Sequence, residues 1–273
     1  MFGSLSLFIG MRFSRAKKRN KLVSFISLSS TIGIAFGVAV IIIGLSAMNG
    51  FEYELKQRVL SVIPHGEFEG VKSPISDWSS VQKQIQSDPR VIAAAPYVSI
   101  TALAEKGLQL KALEVRGVDV VSESKVSNLV QFITPGVWRH FQAGEQQVIL
   151  GQGIAKTLGV KIGDALTLMI PVKGGSAENT QMPKRVRVTV TGLLVLNGQL
   201  DHSLALVPMA DAQIYADLGE AVSGIAIKTN DVLDATNIVK EIGSQLDVFV
   251  YLHSWQNKFG YLYRDIQMVR TIL

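Results

Sequence analysis

The chain has no cysteine among its 273 residues, so it forms no disulfide and carries no lipid-modified cysteine of its own. It also has no acidic residue before Glu52. Nucleotide chemistry through a P-loop is absent too, because no G-x-x-x-x-G-K-[ST] run occurs. The four histidines, His65, His140, His202 and His253, are scattered with no H-E-x-x-H or closely spaced ligand pair, which gives no metal site. No G-x-S-x-G elbow exists for a serine nucleophile. Gly151-x-Gly153 falls short of a dinucleotide fingerprint, since Lys156 stands where the third glycine belongs. These absences leave no enzyme and no cofactor.

Against these absences stands one long apolar run. Leu22 to Phe51 carries no charge and exceeds the ~20 apolar residues that a membrane-spanning helix needs. A cleaved signal peptide has an apolar core of about 7–15 residues and a small-residue cleavage site, so the run reads as a retained span. Arg12, Arg15, Lys17, Lys18, Arg19 and Lys21 precede it, which places the N-terminus in the cytoplasm by the positive-inside rule. Setting those six aside leaves 21 of the 27 basic residues against 22 acidic ones. The net charge of +5 is therefore an orientation signal and a contact for anionic membrane lipid, not a nucleic-acid footprint.

The chain divides by pattern. Residues 1–21 form a basic interfacial segment and 22–50 a transmembrane helix. Gly33, Gly37 and Gly44 either let a second helix approach or reflect the ordinary frequency of glycine in membrane helices. Phe51, Leu55, Val59 and Val62 share a helical face and extend the span into a stalk over 51–64, ended by Pro64-His65-Gly66. Residues 65–252 read as an α+β domain with a β-rich insert over about 120–200. Within it, Asp77 or Ser76 caps a helix, Val91–Ala104 and Leu108–Val118 make a hairpin, and Val120–Gln131 is a polar connection. Ile154, Ala155 and Leu158 point inward from a short helix, and Asp231 caps a later one. Pro171–Pro183 is a polar loop long enough to be functional. Phe259, Leu262, Ile266, Val269 and Leu273 give a seam for a returning stalk helix over 253–273, leading toward a second span.

Several segments together resemble the LolC/LolE family, the membrane subunits of the lipoprotein-releasing ABC transporter. They are FIGMRFSR, STIGIAFGVAVIIIGLSAMNGFE, VIPHGE, NGQLDHSLALVPMADAQIY and GYLYRDIQMVRTIL. PHGE, GQLDHS and YRDIQMVR look more like the LolE type than the LolC type. The resemblance implies a MacB-like architecture: four spans in the inner membrane, a periplasmic domain between the first two, and three spans still to come after Leu273. It implies as partners a LolC-like membrane subunit, a LolD-like ATPase dimer, lipoprotein substrates and a LolA-like periplasmic carrier. Within that frame Val40, Ile43, Ala47, Met48, Phe51 and Leu55 are the candidate wall of an acyl-chain groove, with packing on a partner helix as the alternative. Lys173, Gln181, Met182 and Pro183 mark a loop that faces the carrier or the lipoprotein. A MacB-like mechanotransmission subunit and a membrane-anchored sensor or scaffold are the other functions compatible with the pattern.

Overall fold

The structure is a computed structural model that describes residues 9, 12, 21–54, 62–71, 73–172, 182–196 and 198–257. It divides into two compact units, one holding the apolar helix and one holding the folded domain. The expected stalk positions from Leu55 to Val59 and the returning helix from Phe259 to Leu273 lie outside the described residues.

Helix α1 runs Lys21–Glu54. Within it, Ser24–Gly50 is a 27-residue stretch of mean hydropathy 2.3, with none of its most apolar window buried. At 1.5 Å per residue such a stretch extends about 40 Å, more than the ~30 Å hydrocarbon core. Its polar side chains need local partners in lipid, and Thr31 Oγ1 donates to Ser27 O at 2.8 Å, one turn back.

In the domain the described strands form one nine-stranded sheet that branches on a single long strand. The elements in chain order are β1 (Gly66–Gly70), α2 (Trp78–Gln86), β2 (Val91–Lys106) and β3 (Gln109–Val118). Next come α3 (Val120–Val126), β4 (Gln147–Gly151), α4 (Gln152–Leu158), β5 (Ala165–Ile170) and β6 (Lys184–Leu194). The chain continues through β7 (Leu204–Pro208), α5 (Met209–Tyr215), β8 (Gly224–Thr229), α6 (Ala235–Gly243) and β9 (Val250–Ser254).

The first part of β2, Val91–Tyr97, pairs with β8, and β8-β1-β9 follow, all antiparallel. The order β2-β8-β1-β9, with α2 between β1 and β2 and α6 between β8 and β9, is the split β-α-β arrangement of ferredoxin-like sheets. Spacings of three and four explain the helices: α2 buries Val81 and Ile85, and α6 buries Ala235, Ile238, Val239 and Ile242. Of the two expected caps the structure uses Asp77, which accepts from Ser80 N at 3.3 Å at the start of α2. Helix α6 starts later than Asp231, with Asp234 at its cap position; Asp231 instead accepts from Leu233 N in a tight turn.

The second part of β2, Tyr97–Lys106, forms a hairpin with β3, and from there the sheet closes: β3-β7-β4-β6-β5 and back to β2 at Leu103–Glu105. This six-stranded barrel contains two parallel pairs, β3 with β7 and β4 with β6. Closure leaves these strands without a free edge over most of their length. The β-rich part begins inside β2 near Tyr97 and so extends further toward the N-terminus than the 120–200 insert. Val120–Gln131 also differs from a polar connection. It folds into α3, capped by Asp119 on Ser122 N at 2.9 Å, and a 3₁₀ turn over Leu129–Phe132. Val126 of α3 covers Ala93, Ala95 and Tyr97 on the face of β2 opposite the main core. Leu129, Ile133, Trp138 and Phe141 cover the outward side of β4 and β7. That double cover explains why β4 and β7 are buried at every position and read as continuous apolar runs.

Candidate functional site

On α1, Val40, Ile43, Ala47, Met48 and Phe51 fall within about 140° of one another around the helix at 100° per residue, so they share a face. Val40 and Ile43 are 52% and 67% exposed, Ala47 is exposed and Met48 is half-buried. Phe51 is helical, its side chain outside the described residues, and Leu55 lies outside them altogether. Gly33, Gly37 and Gly44 lie along the same face, and among the described residues a Cβ on any of them would meet nothing within 4 Å. The helix thus presents apolar side chains beside a strip of bare backbone.

Of the basic cluster, Arg12 is exposed and Lys21 starts α1, while Arg15, Lys17, Lys18 and Arg19 fall outside the described residues. Lys173 and Gln181 of the polar loop fall outside them too. The two ends of that loop are described. Pro171 and Val172 leave β5 exposed, Met182 is 89% exposed, and Pro183 precedes β6. Lys184 fixes the return: its Nζ donates to Ile214 O at 2.7 Å and Asp217 Oδ1 at 2.6 Å. Arg185 pairs with Glu105 across β6, β5 and β2.

Gly151-x-Gly153 has a packing role that no motif search reveals. A Cβ on Gly151 would meet Asp201 O at 2.3 Å, and one on Gly153 would meet the His202 ring at 2.3 Å. The glycines admit the 3₁₀ turn Gln199–His202 against the start of α4. Asp201 Oδ1 accepts from Leu196 N at 2.8 Å, which clamps that turn.

The domain also holds a buried ionic cluster that was not expected. Arg116 on β3 donates to Glu67 on β1 at 2.8 Å and stacks its guanidinium 4.0 Å from the centroid of the Tyr97 ring on β2. Glu123 on α3 accepts from Ser127 Oγ at 2.7 Å. Burial opposes the Arg116 charge, but Glu67, Glu123, Tyr97 and Glu114 outweigh it and hold the guanidinium more firmly protonated than usual. Glu67, Arg116 and Glu123 line a cavity of about 110 Å³ together with Val62, Leu129, Leu204 and Trp255. The cluster ties the ferredoxin-like sheet to the barrel. A sequence signal for it would be a charge in an otherwise apolar strand, and EVRGV in β3 is that pattern.

His65 sits where the chain enters the domain. Its Nδ1 accepts from Thr229 N at 3.0 Å. Burial, with the nearby Lys228 charge, lowers its pKa below the ordinary 6.5.

A family model of the MacB-like periplasmic core domain matches residues 27–245. The lipoprotein-releasing system transmembrane protein LolE of Haemophilus influenzae is 42% identical over 271 residues, covering 97% of this chain and 65% of that protein. The lipoprotein-releasing system transmembrane protein LolC of Xylella fastidiosa is 33% identical over 274 residues, covering 100% of this chain and 66% of that protein. The crystal structure of the periplasmic region of MacB from Actinobacillus actinomycetemcomitans aligns with a TM-score of 0.43 at 10% identity, over 77% of this chain and 98% of that one. The chain therefore spans just under two thirds of the length of the curated relatives it matches. A family match running from within α1 to just past the end of α6 shows that the chain belongs to the MacB-like periplasmic core domain family, and along nearly its whole length it is similar to Lol proteins of both types.

Proposed function

We propose that this chain is part of the transmembrane subunit of an ABC transporter that extracts lipoproteins from the inner membrane and releases them to a periplasmic carrier, acting on the lipoprotein-uptake side. The observation that carries this reading is the 42% identity to a LolE protein, which runs through the apolar helix and the domain alike. The N-terminus lies in the cytoplasm and the domain in the periplasm, as Arg12, Arg15, Lys17, Lys18, Arg19 and Lys21 before the span favour. ATP hydrolysis belongs to a separate LolD-like dimer, and a LolC-like subunit completes the membrane part. The face of α1 holding Val40, Ile43, Ala47, Met48, Phe51 and Leu55 lines the acyl-chain groove. Flexible, polarizable methionine suits irregular acyl surfaces. The loop holding Lys173, Gln181, Met182 and Pro183 faces the carrier or the polypeptide part of the lipoprotein.

Photocrosslinkers at Met48 or Phe51 in the intact complex test the groove. The expected result is capture of lipoprotein; capture of only the partner subunit would refute the groove. The MacB-like family match favours one further reading, a mechanotransmission subunit that drives a periplasmic conduit without touching lipid. Accumulation of lipoproteins in the inner membrane on depletion of the chain counts against that alternative.

A further inference from the structure

Strand β2 serves two sheets, and the handover between them leaves a gap. Its pairing with β8 ends at Tyr97↔Gly224 and its pairing with β5 begins at Leu103↔Met169. On the opposite side β3 pairs continuously from Tyr97 to Lys106. Among the described residues, 98–102 thus carry a partner strand on one side only.

The backbone groups on the open side follow from period-2 alternation. Ser223 N donates to Tyr97 O at 2.9 Å, and Ser99 N donates to Ser223 Oγ at 2.9 Å, so odd-numbered residues of β2 face the gap. Ser223 caps the gap at one end. At the other end β5 gives way to Pro171, which has no N–H to continue the ladder. Between these stops lies Thr101, an exposed residue whose N–H and C=O are directed at the gap. The gap opens into a groove of about 790 Å³, lined there by Ser99, Thr101, Pro171, Lys184 and Ser223. A strand edge that opens into a groove is the geometry of strand addition.

We infer that this notch in β2 binds a short extended stretch of the transported polypeptide, which adds as a strand between β8 and β5 through backbone hydrogen bonds centred on Thr101. The inference rests on the proposed function, and it names the part of the cargo that the domain holds. Main-chain pairing at Thr101 reads no side chain, which suits a carrier of proteins that share an anchor and differ in sequence. The stops at Ser223 and Pro171 limit the added strand to a few residues. A segment that short is held loosely enough to be released.

The test uses the complete transporter in nanodiscs, with its ATPase blocked in hydrolysis, loaded with a triacylated model lipoprotein carrying a Gly/Ser linker after its anchor. Photocrosslinkers are placed singly as Thr101→p-benzoylphenylalanine, at Met48 as a marker of lipoprotein capture, and at exposed Thr189 on β6 as a control. Crosslinks from Thr101 to the linker are expected, with none from Thr189. Scrambling the linker sequence leaves the yield unchanged, whereas proline at alternate linker positions lowers it several-fold. With the unmodified chain, loading slows hydrogen exchange at 98–102, and the proline linker abolishes that protection. Capture at Met48 with no linker crosslink at Thr101, or with crosslinks from Thr101 only to residues 171–183 of the same chain, overturns the notch and leaves the transport reading standing. Capture at Thr101 that is insensitive to proline overturns strand addition. Absence of capture at both Met48 and Thr101 overturns the notch and the α1 groove together, and failure of the complete transporter to retain the lipoprotein at all overturns the transport reading.

Discussion

Helix α1 and the domain use glycine in opposite ways. In α1, among the described residues, a Cβ on Gly33, Gly37 or Gly44 meets nothing. In the domain a Cβ on Gly117 meets Ala212 Cβ at 2.2 Å, one on Gly151 meets backbone at 2.3 Å, and one on Gly224 meets Phe68 O at 2.5 Å. These three glycines of the domain are already used by its own fold, while among the described residues nothing packs against the three of α1. The same contrast holds for polar groups: Glu67, Arg116 and Glu123 are buried together in the domain, and α1 carries no charge between Leu22 and Phe51. Substitutions in the domain should therefore register as lost stability, and those in α1 as lost association.

The sharpest test on the domain side is Arg116→Ala. It leaves Glu67 and Glu123 buried without the cation that faces them, and should cost about 3–5 kcal/mol in denaturant unfolding of the domain. Adding Glu67→Gln should recover part of that loss by removing one buried charge. An unchanged midpoint for Arg116→Ala would break the contrast. Gly151→Val should come next, at about 1–3 kcal/mol, because its nearest neighbour is backbone that cannot rotate away.

Acidification gives a smaller effect with a defined sign. The folded pKa of His65 lies below the ordinary 6.5, so its contribution is fully present above pH 6.5 and is lost as pH falls through the folded value. The protonated ring can no longer accept from Thr229 N–H. Thermal melts between pH 7 and pH 5 should show wild type losing stability more steeply than His65→Gln, with matching slopes counting against the assignment. The smallest stability effect belongs to α1. Gly37→Leu should leave unfolding of the domain within about 0.5 kcal/mol of wild type, as for substitutions that touch nothing. The same variant should lower the yield of assembled transporter by pull-down if a second helix uses the glycine strip. Undiminished assembly would instead fit glycine as a common membrane-helix residue.

Local signals in the sequence were strong where one residue type settles one geometry. Asp77 marks the start of α2, Ala165–Ile170 alternates as β5 does, and Ile154, Ala155 and Leu158 identify the inner face of α4. What escaped was long-range. Closure of the barrel depends on β2 meeting both β3 and β5, and no local pattern encodes which strands meet. Helix α3 escaped because Ser122 and Ser124 make its seven residues look polar, although its Glu123 and Val126 are buried. The glycines at 151 and 153 hinted at a nucleotide because the turn that fills the space beside them comes nearly fifty residues later, at Asp201 and His202. For the candidate site, hydrophobicity identified α1 but could not choose a face, since a uniformly apolar helix has no amphipathic direction.

One feature of the fold bears on how such a domain can be carried within a longer chain. Strands β1 and β9 are neighbours, with Gly66 opposite Ser254, and Trp255 N donates to His65 O at 3.1 Å. The chain is thus stitched shut at the point where it arrives and departs. A domain built this way is a cassette: it can be grafted into a short turn between two helices without prising them apart, and traded among membrane proteins whose remaining parts have nothing else in common.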